Sequence, residues 1–159
     1  MSAQLSYAIN QGKAYAGMVF AQAPSDIISR SIEGGSVAFG VAVSRGTDKD
    51  NQAIIGGASG FLGLTIRSVE REGAINSGDL DYSVQETAGI IRDGYVYITC
   101  PAGCVPGNLV KFDNVTGILD TGAAGVGETQ ISGAYWDTTA VAGEVGVVHI
   151  VGTATVAGS

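Results

Sequence analysis

The tightest pattern in the chain lies at residues 93–117, where apolar and polar positions alternate. Val96, Ile98 and Cys100 are interleaved with Tyr95, Tyr97 and Thr99, and Val110 and Phe112 with Leu109, Lys111 and Asp113. A period of two sends successive side chains to opposite faces of an extended strand. Pro101 cannot donate to a ladder and ends the first strand. Pro106-Gly107 suits a type II turn, and residues 113–117 close with turn chemistry. The pattern predicts a two-stranded hairpin, entered through an Asp93-Gly94 turn, whose apolar side needs a second layer.

Similar patterns recur on both sides. Val37, Phe39, Val41 and Val43 alternate with small or polar residues over 36–44, and a polar loop follows at 45–51. Residues 61–69 form a strand with Leu64 and Ile66 on one face, then a charge cluster at 70–72 and a turn at 76–79. Tyr82, Val84 and Glu86 alternate with Ser83, Gln85 and Thr87. Residues 120–129 are Gly/Ala-rich and loop-like, 131–137 form a strand holding Tyr135 and Trp136, and Gly143-Glu144 is a turn. Val145, Val147, His149 and Val151 then share one face with Val148 and Ile150 on the other, as in a strand covered on both sides.

Residues 1–35 differ. Tyr7, Ile9, Tyr15, Met18 and Phe20 are scattered among Gln, Asn, Gly and Ala with no helical stripe. Ser25-Asp26 could cap a short helix through Ile32, and an extended run fits equally. The expected layout is an N-terminal arm at 1–35, a β domain at 36–152 and a fraying tail at 153–159. About eight short strands separated by turns predict a single all-β domain, as a sandwich, jelly roll or small barrel.

Composition changes the functional picture more than the fold. A chain of 159 residues is long enough for one domain with a real core. Charged residues are 14 %, well below the roughly one quarter of ordinary domains, so the surface is cheap to desolvate and suits partner contact. A net charge of −7 argues against nucleic acid, because phosphate contacts need clustered Lys and Arg. No apolar run reaches the roughly 18 residues of a membrane span, and no basic-then-apolar secretory signal is read. Cys100 and Cys104 could close a disulfide, although a chain made inside a cell is expected to keep two buried thiols.

Catalytic constellations are missing. His149 is the single histidine and sits in an apolar strand, as a core or interface imidazole does. Gly57-Ala58-Ser59-Gly60-Phe61 lacks the last glycine of a nucleophile elbow. Gly125-Val126-Gly127 would need a third glycine where Gln130 stands. Asp48, Asp50 and Asn51 begin like a calcium loop, which Gln52 and Ala53 break. Asp79 and Asp81 share a strand face by spacing, as any alternate pair does. No catalytic residue, metal or cofactor is expected.

The order of features resembles the structural cement, or decoration, proteins of tailed-bacteriophage capsids. The likeness runs through Ala16-Gly17-Met18-Val19, residues 26–34, 37–43 with Arg45-Gly46-Thr47, 60–67, the Tyr82 strand, 94–113 and 143–148. The loop at 120–130 and the Cys-Pro-Ala-Gly-Cys turn lie outside it. The resemblance implies a jelly-roll-like or tulip-like β fold, no cofactor and no reaction. It implies attachment outside a shell, with the major capsid protein and further copies of the chain, as a homodimer or homotrimer, for partners. Such a chain is made in the bacterial host cytoplasm and ends in the virion. Tyr7, Tyr15, Met18 and Phe20 are the expected intersubunit contacts, with Tyr135 and Trp136 second, because aromatic anchors dominate interfaces. Deleting the chain through Phe20 is then expected to leave a folded domain that no longer decorates shells. The alternative is a carbohydrate- or receptor-binding module that stacks sugars on Tyr82, Tyr95, Tyr97 and Trp136.

Overall fold

The computed structural model describes residues 14–20, 24–68 and 81–157. Eleven strands occupy them: β1 (Asp26–Ile32), β2 (Val37–Ala38), β3 (Ala42–Arg45), β4 (Gln52–Ile55), β5 (Phe61–Thr65), β6 (Asp81–Tyr82), β7 (Thr87–Thr99), β8 (Leu109–Asp113), β9 (Leu119–Thr121), β10 (Glu128–Trp136) and β11 (Val145–Ala157). Among the described residues there is no helix. The predicted all-β class holds.

One strand, β7, organises the chain. Its first half pairs with β1 and β5, and β1 also pairs with β4, so β1, β4, β3, β5 and β7 close a ring. Its second half pairs with β11, from which the sheet continues through β10 and β8 to β9. Two cores follow from this double use. Ile32, Val37, Phe39, Val43, Ala53, Leu62, Tyr82 and Ile90 fill the ring. Ala42, Leu64 and Ile91, on the other face of ring strands, pack against Val96, Ile98, Phe112, Ile131, Trp136, Val148 and Ile150. Residues 42–44 of β3 and strand β5 are therefore buried on both faces, and β5 accordingly reads as a near-continuous apolar run.

Several expectations are corrected by this arrangement. Asp93-Gly94 is no turn but the middle of β7, and β7 and β8 form no hairpin because β11 and β10 stand between them. The Pro106-Gly107 turn does form, with Asn108 N–H donating to Val105 O at 3.1 Å. The chain beyond Pro101 is led instead to the hairpin linking β10 and β11, by a bridge between Cys104 and Ala140. The strand read over 36–44 breaks at Gly40, whose φ of +73° separates β2 from β3. The alternation after Tyr82 is a turn, with Gln85 at φ +67°. Asp26–Ile32 is extended as β1, a member of the ring rather than part of an arm, and β11 runs on through 153–157 where a tail was expected. Strand β4 arises where no element was read, and β9 reaches into the run at 120–129 that was read as a loop. The charge cluster at 70–72, the turn at 76–79 and Asp79 lie outside the described residues.

Carboxylates secure the loops. Asp113 Oδ1 accepts from the N–H groups of Thr116 and Val115 at 2.7 and 2.9 Å and from the Thr116 hydroxyl at 3.0 Å. Glu33 accepts from the Thr47 hydroxyl and N–H, both at 2.6 Å, and Glu128 accepts from Lys111 and Gly125 N–H, both at 2.8 Å. These bonds hold all three carboxyls below their usual range: the Thr116 N–H foremost for Asp113, the Thr47 hydroxyl for Glu33 and Lys111 for Glu128. A depressed value means that the native state takes up protons less readily than the unfolded chain. The clamps thus contribute fully only above the unfolded carboxylate range, from about pH 5 upward, and are lost as pH falls through the folded values. Acidification is expected to strip amide protection from Thr116, Thr47 and Gly125 first, with Val96 and Ile98 retaining theirs. Uniform loss, followed by NMR hydrogen exchange, would contradict it. Asp48, the start of the calcium-like motif, instead takes Asp50 N–H and Asn51 Nδ2 on its two oxygens, as a turn residue does.

Candidate functional site

The described part of the arm is built into the domain. Val19 bridges Val96, Gly17 N–H donates to Tyr97 O at 2.7 Å, Tyr97 N–H to Met18 O at 2.8 Å and Phe20 N–H to Tyr95 O at 2.9 Å. Residues 17–20 thereby extend the sheet beside β7. This corrects the expectation that everything up to Phe20 can be removed without harm to the fold. Between Val19, opposite Val96, and Asp26, opposite Asp93, seven steps of chain cover three of β7. Pro24 and Ser25 lie against Gly94, where a β-carbon would come within 3.1 Å of Ser25 Cβ. The dipeptide that looked like a turn is glycine for this close approach.

The face of the sheet opposite the core carries a band of rings. Phe20 lies 5.9 Å from Tyr97 and 6.3 Å from Tyr95, centroid to centroid. Tyr95 stacks on His149 at 4.2 Å with planes 11° apart, and Tyr135 meets His149 edge-on at 5.0 Å. Tyr135 Oη lies 2.7 Å from His149 Nδ1. Leu109 is the cross-strand partner of Tyr135 and ends the band. Burial first, then Tyr95 and Asp137, pushes the Tyr135 phenol up, so it stays neutral and can donate. The six named side chains include no Asp, Glu, Lys or Arg. The band crosses from the arm through β7, β11 and β10 to β8, roughly 20 Å at about 4.8 Å per strand.

The expected contact residues separate accordingly. Tyr15, Met18, Phe20 and Tyr135 are 65, 39, 37 and 37 % exposed and available to a partner. Tyr7 lies outside the described residues. Trp136 is fully buried and leaves the set: adjacent strand residues point to opposite faces, so an outward Tyr135 requires an inward Trp136. The sugar-stacking alternative loses two of its four rings, because Tyr82 and Trp136 are both core. Tyr95, a third, has a ring face taken up by His149.

Arg67 carried no signal in the sequence reading. Its guanidinium lies 4.9 Å from the Tyr15 ring centroid and 5.6 Å from that of Phe39. Cys100 and Cys104 are free, buried thiols near the opposite end of the domain. Cys104 Sγ donates to Thr138 O at 3.1 Å, and Cys100 Sγ lies 3.8 Å from Asp120 Oδ1. Burial, then Cys104 and Asp120, pushes the Cys100 thiol up to about 12, which suppresses the thiolate needed for exchange. Among the described residues no cluster of three His, Cys, Asp or Glu could hold a metal ion.

These features meet known proteins in two comparisons. The family described as "Structural cement protein (E217 gp24/Pam3 gp6)" matches residues 3–151. A chain from the solved structure "The capsid of Myoviridae Phage XM1" superposes with a TM-score of 0.71 at 19 % identity, covering 95 % of this chain and 98 % of that one. At that identity the likeness establishes a shared fold. A comparison with curated proteins finds no match. With nearly its whole length matched, the chain belongs to the phage structural cement protein family.

Proposed function

We propose that this structural cement protein sits on the outer surface of a phage head and ties neighbouring subunits of the major capsid protein together. The observation that carries the reading is the family match over residues 3–151. The surface chemistry agrees with it. A net charge of −7 suits the outside of a shell better than a DNA-lined interior. Each contact can be modest, since one molecule touching several subunits gains avidity. Copies meet one another as homodimers or homotrimers, and the reading includes no catalytic step.

The contacts are assigned to the arm, including Tyr7, Tyr15, Met18 and Phe20, and to Tyr135 in the ring band. The test is a deletion of residues 1–13, which spares the bonds that residues 17–20 make to β7. The shortened protein is expected to melt like the full chain and to bind shells stripped of cement protein at least about tenfold more weakly, the scale of losing an interface anchor. Phe20→Ala and Tyr135→Ala, assayed on the same shells, are expected to weaken binding in the same direction. Unchanged affinity in all three would overturn the assignment.

A further inference from the structure

The ring band is a neutral strip on an acidic molecule. The whole chain carries −7, yet Phe20, Tyr97, Tyr95, His149, Tyr135 and Leu109 bring no carboxylate, Lys or Arg. Asp137 and Lys111, two residues on from Tyr135 and Leu109, border one end with one charge of each sign. The strip is ordered before anything docks. Tyr95 stacks on His149, Tyr135 meets the same imidazole edge-on with Oη 2.7 Å from Nδ1, and Val147, the cross-strand partner of Tyr97, is buried. Covering such a strip costs little side-chain freedom and strands no charge.

We propose that two copies of this chain meet at the strip, face to face about a two-fold axis, so that the assembling unit is a dimer. The inference rests on the cement reading above and names the partner of its ring band. Two molecules of −7 repel wherever acidic faces meet, and a strip without charge is where they approach most easily. One patch that meets itself closes a two-fold pair, whereas a trimer needs two different patches on each copy. The strip measures roughly 20 Å by 10 Å, well short of the roughly 800 Å² per partner of a stable complex. The pair is therefore weak in free solution and gains from the high local concentration on a shell.

Sedimentation equilibrium of the full chain tests this. The mass is expected to rise from one copy towards two and no further, with a dissociation constant of about 0.01–1 mM. Raising NaCl from about 20 mM to about 300 mM is expected to tighten the pair, because salt screens the repulsion and the strip holds no ion pair to weaken. Leu109→Asp is expected to weaken it at least about tenfold, since a two-fold contact carries the change twice. Val126→Asp adds the same charge at a fully exposed site in the loop before β10 and is expected to shift the constant less than about twofold. Both sites are exposed, so both variants are expected to melt with the parent. A parent that stays monomeric at about 1 mM, a limit at three copies, or equal effects of the two variants would overturn the proposal. Shells stripped of cement protein separate it from the reading above. If copies never associate while Leu109→Asp binds shells weakly, the strip faces the major capsid protein, and the inference falls while the reading stands. If copies pair through the strip but bind no shell, the reading falls and the pairing stands.

Discussion

Trp136→Ala is expected to destabilise the domain by about 3–5 kcal/mol, the usual loss for a large buried ring. The ring is fully buried among Ile98, Phe112, Ile131 and Val148, in the core between the ring strands and the outer sheet. Its indole Nε1 lies 3.4 Å from Asp120 O, so truncation also deprives a β9 carbonyl of a donor. Gly146 is matched to it, because a β-carbon there would stand 3.1 Å from the indole ring and 2.8 Å from Cys104 Sγ. Both walls of the void belong to paired strands, which limits how far it can collapse. For a domain of this size the loss corresponds to roughly 6–20 °C in Tm, read by calorimetry. Trp136→Phe is expected to lose less. Molecules still folded are expected to decorate shells normally, since the ring does not reach the surface. The core assignment is falsified if Trp136→Ala melts with the parent protein and loses shell binding.

Gly17→Ala carries the second large effect, and it falls on the arm. The position has φ +84°, a region that costs an L-residue about 1–3 kcal/mol. The added carbon also meets backbone at Arg67 N and the base of the Phe39 side chain, neither of which can swing away. The cheaper outcome is for residues 14–20 to lift from β7. Tyr97 N–H would then lose its acceptor, Met18 O, and its exchange protection, whereas Ile98 and Val148 in the core would keep theirs. Shell binding is expected to fall to the level of protein lacking residues 1–13. Hydrogen exchange that leaves Tyr97 protected would show that the close approach of Gly17 to Gly40 absorbs the carbon and that this turn is softer than its contacts suggest.

Local readings of the chain succeeded where one strand's own chemistry decides the matter. The outward set Tyr95, Tyr97 and Leu109 and the inward set Val96, Ile98, Val110 and Phe112 follow from a period of two, whatever the partner. The turns at Gly107, Gly117 and Gly143 follow from residues that tolerate positive φ. The same reasoning failed at Asp93-Gly94. Asp-Gly favours a tight turn in isolation, but here glycine admits Pro24 and Ser25 against β7. It missed β4, whose neighbour β1 lies some twenty residues away in parallel pairing. It could not rank Tyr135 against Trp136, since both are aromatic and adjacent.

Alternation, turn chemistry and low charge are properties of the linear chain, and they suffice for an all-β domain that works by contact. Which strand lies beside which is settled by burial across the whole molecule. β7 and β8 are neighbours in sequence yet stand apart, because inserting β10 and β11 covers the apolar faces of both. The ring band exists only once residues from five separate stretches, the arm, β7, β11, β10 and β8, have been brought together, and no window of sequence holds them at once.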